Sequence, residues 1–218
     1  MKRSTAILIS GRGSNMEALI EAARDAAFPV RIDIVLSNRP DAAGLITARR
    51  AGIRAEAIDH RDFGKDRAAH EAAIDAVLRA AKVEIVCLAG YTRLLTPLLV
   101  QAWKGRMLNI HPALLPSFPG LHAIRQALAA GVKVTGATVH FVDAGLDSGP
   151  ILLQGAVPVL PADDEDTLGE RVLTVEHRIY PEAVRLVAAG RVRIEGRRTV
   201  VAEAKSEEAA RLFSPPVE

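Results

Sequence analysis

Apolar positions along this chain follow two rhythms that take turns. Residues 5–9 form a nearly continuous apolar run, as a parallel strand buried on both faces does. The run breaks at Ser10-Gly11-Arg12-Gly13-Ser14-Asn15, and Met16, Leu19, Ile20 and Ala23 then recur at helical spacing. A second strand is expected over 30–36, stopping at Ser37-Asn38-Arg39-Pro40, and a helix over 41–51 with Asp41 as N-cap and Gly52 just past its end. A short strand at 54–58 and a polar loop at 59–65 follow. In a helix over 66–81, Ala69, Ala73, Ile74, Val77 and Leu78 fall on one stripe. Then come a strand at 84–89, a short helix at 96–103 with Pro97 in its first turn, and a strand at 107–111. This alternation predicts an α/β fold, Rossmann-like and doubly wound, with a mostly parallel sheet.

After residue 111 the rhythm changes. Pro112, Pro116 and Pro119 remove backbone donors and fix φ, so the stretch to Gly120 is a rigid loop, and Leu115–Pro116 is expected to be cis. A helix over 122–130 closes at Gly131. Two strand-like runs, 133–142 and 151–159, are joined by the turn Asp143-Ala144-Gly145-Leu146-Asp147-Ser148-Gly149-Pro150 and by no helix. That predicts an antiparallel pair toward the C-terminal half. Four acids, Asp163 to Asp166, suit the start of a long helix that runs to about Ala189, bent or crossed by Pro181 and stopped by Gly190. A small hairpin surrounds Glu195-Gly196-Arg197-Arg198. One domain over 1–202 is expected, with a weakly ordered tail at 203–218.

Composition changes this picture little. Of 218 residues, 49% are hydrophobic and 25% charged, ordinary for a globular protein. A net charge of +2 gives no argument for nucleic acid or an acidic membrane as partner. No apolar run approaches a membrane helix in length, and Met1-Lys2-Arg3 is not followed by a signal sequence, so the cytoplasm is the expected location. A single cysteine, Cys87, excludes an internal disulfide, and its apolar surroundings read as those of a buried, inert thiol. No metal-ligand cluster appears.

In a doubly wound sheet, ligands sit beyond the carboxyl ends of the strands. Those ends carry Gly11 to Asn15, Gly90 to Leu95, and Asn109 to His111. Strand, glycine loop and helix form the arrangement that cradles phosphate. Met16 stands where a dinucleotide fingerprint needs its third glycine, and no P-loop Lys-Ser/Thr pair follows. A plain turn with Ser14 or Asn15 as N-cap remains the alternative reading.

Asn109 and His111 are two apart in a strand and point to one face. Asp147 lies in a pliable turn able to fold back over them. A charged imidazole beside an amide makes a two-donor oxyanion site, and a nearby carboxylate orients the ring and accepts a proton. The alternative for His111 is a strand-end histidine bonded to backbone. His140 reads as core packing or as support behind the site, His122 as a helix cap, and His60, His70 and His177 as residues of solvated or interfacial surfaces.

Four stretches carry a resemblance: Ser10 to Asn15, Leu88 to Leu95, Leu108 to Pro116, and His140 to Pro150. Together they resemble the phosphoribosylglycinamide formyltransferases, a family of the folate-dependent formyltransferase superfamily, over most of the chain. The resemblance implies formyl transfer from 10-formyltetrahydrofolate, as co-substrate, to a glycinamide amine in purine biosynthesis, with Asn109, His111 and Asp147 catalytic and no metal. It implies that Gly13, Ser14, Asn15 and Glu176 bind the phosphorylated amine. Arg67, Thr92, Arg93, Leu94, Leu95, Asn109, Asp143, Ala144 and Asp147 would serve the folate, Arg67 by way of a one-residue gap. Arg12 departs from the family's smaller polar residue, leaving open a phosphate contact or a solvent-facing side chain.

Related readings are a methionyl-tRNA formyltransferase, which needs a further C-terminal domain, and a formyltetrahydrofolate hydrolase, which typically has a further N-terminal one. A folate- or nucleotide-binding module without turnover is the reading from another class. Small-molecule partners and a monomer or homodimer are expected.

Overall fold

A computed structural model describes residues 1–202 of the protein; the expectation for 203–218 lies outside them. In chain order the elements are β1 (Arg3–Ile9), α1 (Ser14–Arg24), β2 (Val30–Ser37), α2 (Ala43–Arg50) and β3 (Arg54–Ala57). A 3-10 turn at His60–Phe63 precedes α3 (Arg67–Ala80), β4 (Ile85–Leu88), α4 (Pro97–Ala102) and β5 (Met107–His111). Then follow α5 (Ala123–Ala129), β6 (Val134–Phe141), β7 (Ile151–Pro158) and α6 (Glu165–Ala188). Two further strands, β8 (Val192–Glu195) and β9 (Arg198–Val201), pair with each other in a separate two-stranded sheet.

The main sheet has seven strands in the order β3-β2-β1-β4-β5-β6-β7. Strands β1 to β5 are parallel to one another, whereas β6 runs antiparallel to both β5 and β7. The chain winds outward in opposite directions from β1 and from β4, so the gap between these two is the topological switch point. Alternation along β1 sends Ile7 and Ile9 toward a core shared with α1, α2 and α6, and Ala6 and Leu8 toward one shared with α3 and α4. Both faces are covered, which is why the strand reads as unbroken apolar sequence.

Two expected caps differ. The N-cap of α2 is Ala42, because the Asp41 carboxylate is taken by the Arg39 guanidinium at 2.9 Å. The N-cap of α1 is Gly13, at φ 80°, so Ser14 already lies in the helix. His70 is also not a surface residue: it is fully buried, with Nε2 donating to the Ile58 carbonyl at 2.9 Å and the ring edge against Phe63. Asp66 caps α3, Thr96 precedes Pro97 at the start of α4, and the long α6 passes through Pro181. The Leu115–Pro116 bond is cis, as expected.

Candidate active site at the switch point

Leaving β1, the chain must turn into α1 while α2 presses against the turn. Gly13 makes the turn in the left-handed region. Gly44, in the first turn of α2, donates from its N–H to the Gly11 carbonyl at 3.0 Å, and a Cβ there would sit 2.6 Å from Ile9 Cδ1. The loop is thus pinned from below. On its other side the Ser10 amide donates to Gly90 O across the switch point (3.2 Å). The Ser10 hydroxyl donates to Asn38 Oδ1 (2.7 Å) and accepts from the Thr92 amide (2.9 Å). Between these loops lies a cavity of about 320 Å³, lined by Ser10 to Asn15, Arg39, Ala89, Gly90 and Thr92. The first N–H groups of α1 have no intrahelical acceptors, and the helix dipole favours an anion beside them.

Asn15 joins this loop to α6. Its Nδ2 donates to Glu176 Oε2 at 2.7 Å, while its Oδ1 is buried without a partner. Burial raises the Glu176 carboxyl above its ordinary range, and the Asn15 bond opposes that shift. One turn on along α6, the Tyr180 hydroxyl lies 2.9 Å from Leu88 O and 3.2 Å from Leu108 O, which fixes the helix against β4 and β5.

At the end of β5, Asn109, His111 and Asp147 meet. His111 is 5% exposed; its Nε2 donates to Phe118 O at 2.8 Å, and its Nδ1 faces Asp147 Oδ2 at 3.4 Å. Both ring nitrogens face acceptors. His111 is thus bonded to backbone on one edge and faces a carboxylate with the other. Asp147 also accepts from the Gly120 amide at 2.8 Å. Its backbone has φ 47°, a left-handed conformation held by the turn around it. Burial pushes the Asp147 carboxyl up, but the facing imidazoles of His140 and His111 and the Gly120 N–H outweigh it and hold it below the ordinary carboxylate range.

Asn109 Nδ2 lies 3.2 Å from His140 Nε2 and 3.5 Å from Asp147 Oδ1. His140 Nδ1 donates to Phe141 O at 2.9 Å, and its Nε2 faces Asn109 Nδ2 and, at 3.7 Å, Asp147 Oδ1. A distinction runs through the whole cluster. Bonds that anchor groups from behind are short, and contacts that face the centre are long. Catalytic hydrogen bonds are commonly loose until substrate is present.

The proline loop is tied down independently. The Thr138 hydroxyl donates to Ala113 O (2.7 Å) and accepts from the Leu115 amide (3.0 Å) and Gln154 Nε2 (2.9 Å). Neither Thr138 nor Gln154 stood out in the sequence; both matter only because β6 and β7 return beside the loop. Asp143 organises the Asp147 turn, accepting from Gly145 N (3.1 Å) and Ser148 Oγ (2.7 Å). Ala144 is exposed on that turn, and with Asp143 and Gly145 it lines a second cavity of about 360 Å³. Leu94 is exposed, Leu95 packs on the α3/α4 core, and Arg93 Nε is buried without a partner. Arg67 opens α3 as an exposed residue; among the described residues no side-chain hydrogen bond or ion pair joins it to the others. Among the described residues there is also no metal-ligating cluster, and no helix is long and apolar enough to cross a membrane. Burial pushes the Cys87 thiol up to about 12, so it is inert.

Fold and site define a doubly wound α/β protein with a glycine loop and a cavity at its switch point and an amide–imidazole–carboxylate cluster on the next strand end. The chain belongs to the formyl transferase family, whose profile matches residues 3–184. It is 44% identical to the phosphoribosylglycinamide formyltransferase of Escherichia coli (strain K12), over 86% of this chain and 88% of that protein. It is 51% identical to the trifunctional purine biosynthetic protein adenosine-3 of Homo sapiens over 88% of this chain, but spans only 19% of that protein's length. Among solved structures, glycinamide ribonucleotide transformylase 1 from Symbiobacterium toebii superposes with a TM-score of 0.90 at 51% identity, covering 93% of this chain and 95% of that one.

Proposed function

We propose that this protein transfers the formyl group of 10-formyltetrahydrofolate to the amine of 5'-phosphoribosylglycinamide in purine biosynthesis, as a single cytoplasmic domain over residues 1–202. The observation that carries the reading is the convergence of Asn109, His111 and Asp147, with contacts of 3.4 and 3.5 Å, at a strand end that neighbours the loop cavity. The likeness to the Escherichia coli enzyme along nearly its full length supports it.

In this reading Gly13, Ser14 and Asn15 hold the ribose phosphate at the N-terminus of α1. Glu176 and the free Oδ1 of Asn15 receive the amine or a hydroxyl of the sugar. Thr92, Arg93, Leu94, Leu95, Asp143, Ala144 and Arg67 serve the folate. The donor supplies an activated formyl carbonyl. As the amine adds to it, Asn109 Nδ2 and the His111 Nδ1–H stabilise the oxygen that becomes anionic. Asp147 orients the His111 ring, and takes the amine proton through water. That proton then returns to the leaving folate nitrogen, so the exchange balances.

The test is to mix the protein with 10-formyltetrahydrofolate, with and without the phosphorylated amine, and to follow the folate absorbance. Turnover that requires the amine is the expected result. Equal turnover without it identifies a hydrolase, and silence in both a binding module.

A further inference from the structure

We propose that Arg12 determines specificity by reading the charge of the amine substrate's phosphate group, an inference that rests on the transferase reading above. The loop cavity has two basic side chains in its lining, Arg12 and Arg39. Arg39 already faces a carboxylate: in an exposed ion pair its Nε and Nη2 donate to the two oxygens of Asp41 at 3.3 and 2.9 Å. Arg12 is exposed, and its side chain makes no hydrogen bond or ion pair with any described residue.

The remaining polar groups do not supply a full positive charge. Ser10 Oγ is already bonded to Asn38 and Thr92, and the orphaned Asn15 Oδ1 is an acceptor, which repels an anion. Main-chain N–H groups at a helix start amount to roughly half a charge. A phosphate monoester carries about −1.5 to −2 near neutrality. The imbalance is met by a guanidinium, whose planar fork matches two phosphate oxygens. The position of Arg12 fits this. His177, next to Glu176 on α6, is held below the ordinary imidazole range by burial first, with Glu17 opposing and Arg12 adding to it. The Arg12 charge is therefore felt on the α6 side of the loop, where Glu176 and Asn15 meet.

The experiment compares wild type, R12Q and R12K on 5'-phosphoribosylglycinamide and on its dephosphorylated riboside. In R12Q the KM for the phosphorylated amine is expected to rise about tenfold with little change in kcat. The ratio of kcat/KM for phosphorylated over unphosphorylated amine is expected to fall by the same factor, with R12K recovering most of it. An unchanged ratio in R12Q overturns the proposal, as does an equal loss on both amines, which would mark a structural role. Inorganic phosphate gives a readout independent of turnover: it should raise the melting temperature of wild type more than that of R12Q. Equal shifts count against Arg12, whereas a wild type that never transfers formyl groups sinks the transferase reading alone.

Discussion

On the parallel side of the crevice, the loop after β1 offers main-chain groups, a cavity and polar atoms still without partners. On the antiparallel side, where β5 meets β6, each ring is anchored from behind to a carbonyl at 2.8 or 2.9 Å and only its other nitrogen faces the centre. The first region is suited to recognise a diffuse charge, for which backbone N–H groups and one cation suffice. The second is suited to stabilise charge that appears at one atom, which needs side chains held in fixed orientation before the reaction begins. The antiparallel return makes the second region possible. It carries the chain from Phe141 round to Pro150 and lays Asp147 back against the strand end that holds Asn109 and His111. A helical crossover would have taken that acid to another strand.

The contrast can be broken most sharply at the centre. D147N and H111A are each expected to lower kcat about 10²–10³-fold. Their circular dichroism and their thermal response to inorganic phosphate should stay as in wild type, because the loop cavity does not depend on them. Wild-type turnover in both variants would discard the site.

On the recognition side, E176Q should raise the KM for the amine about tenfold while sparing kcat. Its stability should move the other way. Because folding raises the Glu176 pKa, its stabilising contribution is complete below the ordinary 4.5 and is lost as pH rises through the raised value. Melting curves between pH 4 and 8 should therefore show E176Q gaining on wild type as pH rises.

T138V strips the proline loop of its clamp and leaves the Leu115 amide buried and unpaired, at a cost of about 1–3 kcal/mol by urea titration. A negligible change would mean that the prolines alone hold the loop. The smallest effect concerns acid stability. Asp147 is depressed, so its charge stabilises the fold above the ordinary 3.8, and that contribution is lost as pH falls through the lowered value. The stability gap between wild type and D147N should be flat from pH 8 to 5 and close only below 3.8; a gap that closes already at pH 5 would contradict the assignment.

Much of the fold was legible because burial on both faces writes itself as unbroken apolar runs. Residues 5–9 and 84–89 fall on β1 and β4, and the helix-free link at 143–150 falls between antiparallel β6 and β7. Local chemistry misled where a competing partner was decisive: Asp41 looks like a cap until Arg39 takes its carboxylate, and His70 looks like a surface residue until the Ile58 carbonyl receives it in the interior.

By itself the sequence determined the strand–helix order, the glycine turn before α1, and the pairing of Asn109 with His111 on one face, since each depends on neighbours a few positions away. Only the tertiary structure decided that Asn15 meets Glu176, that His140 meets Asn109, and that Thr138 and Gln154 brace the proline loop. Those contacts join residues far apart in the chain. Their geometry is fixed by which strands lie side by side and in what register, and no spacing along the sequence encodes it.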